Sequence, residues 1–179
     1  MDRPYLRAAY DTEAATYDER FRDLQWPKFE TFLEPLSATP EEHGPILDIG
    51  CGTGLLLEYF TILGHSRADI IGVDLSHEML RRSKARGGVV AQAEMHALPF
   101  ATASIGTIVC VTVFRIIPGQ DRRVLAEMAR VLRPSGQLII SLLAERDDDQ
   151  VVGLLAEAGF TVTKRLRAGQ DIGYLAYRI

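Results

Sequence analysis

Leu47-Asp48-Ile49-Gly50-Cys51-Gly52-Thr53-Gly54 runs straight into the apolar stretch Leu55–Leu63. Glycines at alternate positions let a backbone turn sharply and come close to a ligand with no Cβ in the way. A strand, a glycine turn and a helix together form a nucleotide-binding crossover, which puts the site at the carboxyl end of a parallel sheet. Strands are expected at Ile46–Ile49, Asp69–Asp74, Val89–Ala91, Ile105–Val113 and Gln137–Leu142. Helical spacing separates them: Val124, Leu125, Met128, Val131 and Leu132 share one face, and Pro134 and Gly136 end that helix. Upstream, Phe29, Phe32, Leu33 and Leu36 predict an amphipathic helix with Pro27 in its first turn. Downstream, Asp147–Asp149 and Gly159 bracket a helix as acidic start and αL stop, and Phe160–Leu166 and Ile172–Ile179 form a hairpin around Arg167–Asp171. The alternation predicts an α/β chain with a mainly parallel sheet.

Asp74 closes the apolar run Ile70–Val73, twenty positions after Gly54. An acid there can accept hydrogen bonds from both hydroxyls of a ribose. The spacing is G-x-G-x-G, not the G-x-G-x-x-G of dinucleotide enzymes, and no Gly-Lys-Ser/Thr follows to make a P-loop. Asp48 would repel a pyrophosphate but suits a ligand carrying a sulfonium and an amino group.

With 179 residues, 47% hydrophobic and 25% charged, the chain has the makings of one globular domain. It has no apolar run of the roughly 18 residues that a membrane-spanning helix needs, and its N-terminus lacks the apolar core of a secretory signal, so it reads as cytoplasmic. Cys51 and Cys110 have no metal-ligand spacing and read as small residues in tight places; no metal is expected. The net charge of -4 disfavours general nucleic-acid binding. Arg81, Arg82, Lys84 and Arg86 read as one solvated helix face.

The chain resembles the class I S-adenosylmethionine-dependent methyltransferases, of the ubiquinone/menaquinone-methyltransferase-like type. The resemblance rests on Tyr10–Phe21, LDIGCGTG at Leu47–Gly54, Gly72–Ser76, Gln92–Phe100 and Val131–Ser141, in that order. It implies a three-layer Rossmann-like sandwich whose seven-stranded, mainly parallel sheet has an antiparallel last strand. One domain is expected over residues 1–179, with N-terminal helices in 1–40 covering the cofactor and the core in 45–179. By this resemblance Tyr17 covers the cofactor S-adenosylmethionine, and Asp48, Gly50, Cys51, Gly52 and Gly54 surround its methionine part. Asp74 holds the ribose, Leu75 packs on the adenine, Ala93 and Glu94 meet the adenine amine, and Cys110 and Val111 offer backbone near the sulfonium. The product would be S-adenosylhomocysteine.

Some positions depart from the family. Gly106 stands where an aspartate is common, Arg115 where a histidine is frequent, and the Asn/Asp-Pro-Pro-Tyr signature that grips planar nitrogens is missing. Arg115 stays protonated, so it is a candidate for an anionic acceptor group and not a base. Tyr17, Asp18 and Arg115 are the candidates for the acceptor side; no catalytic base is identified, and His96 reads as surface packing. Only Ala144-Glu145-Arg146 separates the fifth strand from the next helix. That brevity fits a large acceptor, a lid from a partner subunit, or an N-terminal segment as sole cover. A noncatalytic scaffold and a nicotinamide-dependent reductase are the competing readings.

Overall fold

The computed structural model describes residues 3–34, 44–114, 120–143 and 148–179. Two helices, α1 (Arg3–Glu13) and α2 (Tyr17–Leu33), precede the sheet. Then follow β1 (Ile46–Ile49), α3 (Leu55–Ile62), β2 (Ile70–Asp74), α4 (His77–Ala85), β3 (Val89–Gln92), β4 (Ile105–Cys110), α5 (Asp121–Val131), β5 (Leu132–Leu143), α6 (Asp148–Glu157), β6 (Phe160–Ala168) and β7 (Asp171–Arg178). The strands form one seven-stranded sheet in the order β3-β2-β1-β4-β5-β7-β6. Strands β1 to β5 are mutually parallel; β7 runs antiparallel between β5 and β6. Among the described residues no helix is long and apolar enough to cross a membrane.

The central strands are near-continuous apolar runs because helices cover both faces. On one face Leu47, Ile108, Leu138 and Ile140 pack with Leu125 and Met128 of α5 and Leu155 of α6. On the other, Ile46, Val109, Ile139 and Leu175 pack with Phe29 and Phe32 of α2 and Leu56 and Phe60 of α3. Gly173 of β7 lets α2 lie flat: a Cβ there would come 2.5 Å from the Phe32 ring.

Three expectations needed correction. Pro27 lies inside α2 and not in its first turn, because the helix begins ten residues earlier at Tyr17. Buried Phe29, Phe32 and Leu33 hold the segment beyond the proline against the sheet, and tertiary burial outweighs the one lost backbone donor. The fourth strand ends at Cys110, short of Val113, because Thr112 has a φ of 65°. The fifth begins at Leu132, which pairs with Ile105 before the chain loops out through Ser135, at φ 60°, and returns at Gln137. Leu36, Asp147 and the Ala144–Arg146 connection lie outside the described residues.

Candidate cofactor site

The glycine loop turns at the carboxyl end of β1. Gly50, Gly52 and Gly54 have φ of 75°, 53° and 90°, a region costly to any residue with a Cβ. The amides of Gly50 and Cys51 both donate to the Val73 carbonyl of β2, at 2.8 and 3.0 Å. Each glycine has a different reason to be one. A Cβ on Gly50 would lie 2.4 Å from a Val113 methyl, and one on Gly54 2.8 Å from Ser83 Oγ. A Cβ on Gly52 would meet only Tyr17 Cε1, at 4.0 Å, so the gap between the loop and the tyrosine ring is about one methyl group wide.

Asp74 binds the loop as well as ending β2. Its Oδ2 accepts from the Gly52 amide at 2.9 Å and its Oδ1 from the Ser76 amide at 2.8 Å. The Leu75 amide is a third backbone donor to this carboxylate. Ala93 is tied to the same corner by its amide donating to the Asp74 carbonyl at 3.1 Å, and the Leu75 carbonyl accepts from Gln92 Nε2 at 2.8 Å. Glu94 follows, 3.3 Å from His96 Nδ1. Cys110 is fully buried in the α5 face, whereas Val111 packs toward α2 beside the cluster that Tyr17 joins. Thus the structure brings Tyr17, the loop, Asp74, Leu75, Ala93, Glu94 and Val111 to one edge of the sheet. Arg115 lies outside the described residues.

Asp48 lies beneath the loop, 6% exposed, beside a small cavity that Cys51, Gly54 and Ser83 also line. Burial, then the charge of Asp74, pushes its pKa up to about 8. Burial also raises Asp74. Among the described residues no cation contributes to either shift, and two such carboxyls favour a ligand that brings positive charge.

The folded protein holds the Asp48 proton up to about pH 8, whereas an unfolded aspartate releases it near 3.8. Folding therefore binds a proton across that window, and stability falls as pH rises through it. Asp74 shifts in the same direction and adds to the trend. The urea midpoint of the ligand-free protein is expected to be lower at pH 8 than at pH 6, with Asp48→Asn flattening the difference. Equal wild-type midpoints would contradict the assignment.

The N-terminal helices are latched over this edge by contacts the sequence did not announce. Asp11 of α1 accepts from the Ser76 hydroxyl at 2.5 Å and the Glu78 amide at 3.2 Å, at the start of α4. Asp18 accepts from the Thr53 hydroxyl at 2.5 Å and from Arg86, which also donates to the Thr53 carbonyl. Arg22 grips both oxygens of Glu58 at 2.9 and 2.7 Å. Arg86 is therefore turned inward, correcting the reading of Arg81–Arg86 as one solvated face; its partner Asp18 is 68 positions away, beyond any local pattern. Although burial pushes the Asp18 carboxyl up, Thr53 and Arg86 hold it below the usual range. Tyr17 is pushed up to about 12 by burial and then by Tyr10 and Asp74, so its phenol stays protonated.

The methyltransferase-domain family model matches residues 47–140, from the glycine loop into β5. The Arabidopsis thaliana tRNA (carboxymethyluridine(34)-5-O)-methyltransferase is 27% identical over 151 residues, 83% of this chain and 35% of that protein. Mouse "Probable tRNA methyltransferase 9B" is 30% identical over 80% of this chain and 30% of its own length. The Geobacter sulfurreducens malonyl-[acyl-carrier protein] O-methyltransferase is 32% identical over 81% of this chain and 55% of its own. The chain thus spans about a third of the two tRNA methyltransferase relatives. In fold, it superposes with a TM-score of 0.81 on a chain from the complex of the Haloferax volcanii Trm112 methyltransferase activator with a methyltransferase, at 16% identity and covering 94% of this chain and 96% of that one. The family model covers more than half of the chain, which therefore belongs to the methyltransferase-domain family, and its fold is that of the class I S-adenosylmethionine-dependent methyltransferases.

Proposed function

We propose that the chain moves the methyl group of S-adenosylmethionine to a macromolecular acceptor, tRNA being the class favoured by its relatives, and that it works with a partner subunit. The cofactor supplies an activated methyl on a sulfonium, displaced in line by the acceptor to leave S-adenosylhomocysteine. The protein's part is to hold and orient, since positioning supplies most of the acceleration in such a transfer. Asp74 takes the ribose hydroxyls, Leu75 packs on the adenine, and Ala93 and Glu94 meet its amine edge. Gly50, Cys51, Gly52 and Gly54 cradle the methionine part, Asp48 lies beneath it as a protonated carboxyl that a cationic ligand would draw toward ionisation, and Cys110 and Val111 present backbone toward the sulfonium. Tyr17 closes the gap over Gly52 as a protonated phenol. Residues 1–40 serve as the cover and 45–179 as the core of one domain.

The observation that carries this reading is Asp74, which closes β2 and holds the Gly52 turn of the glycine loop beside Tyr17. The latch engages both oxygens of Asp18, which makes it a strut of the cover. Tyr17 and Arg115 are left as the candidates for the acceptor side. The tRNA methyltransferase relatives support an RNA acceptor, and the fold likeness to a methyltransferase complexed with an activator supports the partner. A partner with a basic surface would also offset the net charge of -4, which is poorly suited to holding RNA alone.

The test is transfer of tritium from methyl-labelled S-adenosylmethionine to bulk tRNA, with the chain alone and with an activator of the Trm112 type. Label in tRNA that rises with the activator is expected. Label in acyl-carrier protein and none in tRNA would overturn the RNA acceptor.

A further inference from the structure

Just past β4 the chain makes a turn that none of the roles above uses. Thr112, exposed at the carboxyl edge, has a φ of 65°. For a β-branched residue this is a genuine outlier, and such strain persists only where the surroundings over-determine it. Here they do. The Thr112 amide donates to Ser141 Oγ at 2.8 Å, and its hydroxyl donates to Asp171 Oδ2 at 2.9 Å. Lys28 of α2 donates to the same hydroxyl at 3.0 Å and lies 3.1 Å from Asp171 Oδ1. Ser141 adds a bond to Asp171 at 3.1 Å. Ser141 and Asp171 are buried and the Lys28 side chain is 14% exposed. Lys28 of α2, Ser141 of β5 and Asp171 of β7 thus converge on the hydroxyl and amide of Thr112 at the exit of β4.

The next residue shows what the turn positions. Val113 lies so close to Gly50 that a Cβ there would come within 2.4 and 2.7 Å of its two Cγ methyls. We infer that Thr112, locked in its left-handed turn by Lys28, Asp171 and Ser141, is a positioning residue that seats Val113 against Gly50 and so sets the glycine loop where the cofactor's methionine end belongs. Loosening the lock lets Val113 move, and the loop moves with it. The inference rests on the reading that this loop holds S-adenosylmethionine.

The test is calorimetric titration with S-adenosylhomocysteine at a temperature where circular dichroism shows every variant folded. Thr112→Val, which keeps the shape and removes the hydroxyl, is expected to weaken binding about tenfold, the scale of a slightly misplaced first contact. Thr112→Ser keeps the hydroxyl and is expected to stay within about twofold of wild type, a rescue that a general loss of stability does not produce. If Thr112→Val fails to fold, Lys28→Gln removes the α2 arm of the lock and carries the same expectation. Wild-type affinity in the folded hydroxyl-less or Lys28 variant, or equal loss in Thr112→Ser, overturns the positioning role. Failure of wild-type protein to bind at all overturns the cofactor reading instead.

Discussion

Gly50→Ala is expected to destabilise the fold by about 2–5 kcal/mol and to weaken S-adenosylhomocysteine binding by at least about tenfold. At φ 75° any Cβ carries the left-handed penalty of about 1–2 kcal/mol. The added methyl would also lie 2.4 Å from Val113, an overlap of the kind that costs about 1–3 kcal/mol when a packed interior is overfilled. The loop cannot retreat freely, because the Gly50 and Cys51 amides are both bonded to Val73. Gly52→Ala is the informative contrast. Its Cβ meets only Tyr17 Cε1 at 4.0 Å, so stability should fall by about 1–2 kcal/mol, the backbone penalty alone. Binding should still be lost, since the methyl enters the gap assigned to the ligand. Urea denaturation and titration of both variants check this; full affinity in Gly52→Ala would remove the ligand from that gap.

Asp74→Ala should abolish detectable cofactor binding, a loss of at least about 100-fold, or close to 3 kcal/mol. Two hydrogen bonds from ribose hydroxyls to a carboxylate are worth that much at about 1.5–3 kcal/mol each. The Gly52 amide also loses its acceptor, so the loop itself loosens. Stability should fall less than the two broken amide contacts suggest, because removing Asp74 takes away a charge that raises the pKa of Asp48. Asp74→Asn keeps the shape and part of the acceptor capacity and should fall between. Titration of the three proteins checks the order; equal affinity in wild type and Asp74→Ala would contradict the ribose assignment.

What could be read from sequence was what depends on short-range pattern. The glycine spacing, the strand before it and the acid at the end of β2 are constrained within a few residues, and β1 spans Ile46–Ile49 as expected. The antiparallel last strand followed from the resemblance. Features that depend on distant partners were out of reach. Pro27 reads as a helix start until the burial of Phe29 and Phe32 outweighs it. Thr112 reads as a strand residue until Ser141, Asp171 and Lys28 hold it in another backbone basin. Arg86 sits in a run of surface-looking cations, and only the fold brings Asp18 and Thr53 to it. The latch of the N-terminal helices was not legible, because every partner lies far along the chain.

Calorimetric titration of the wild-type chain with S-adenosylmethionine, S-adenosylhomocysteine and a nicotinamide dinucleotide tests the central claim most directly. The account predicts one saturable site per chain for the first two, with micromolar affinity, and no heat from the dinucleotide. Folded protein that binds neither adenosyl compound, or that binds the dinucleotide in their place, would contradict it.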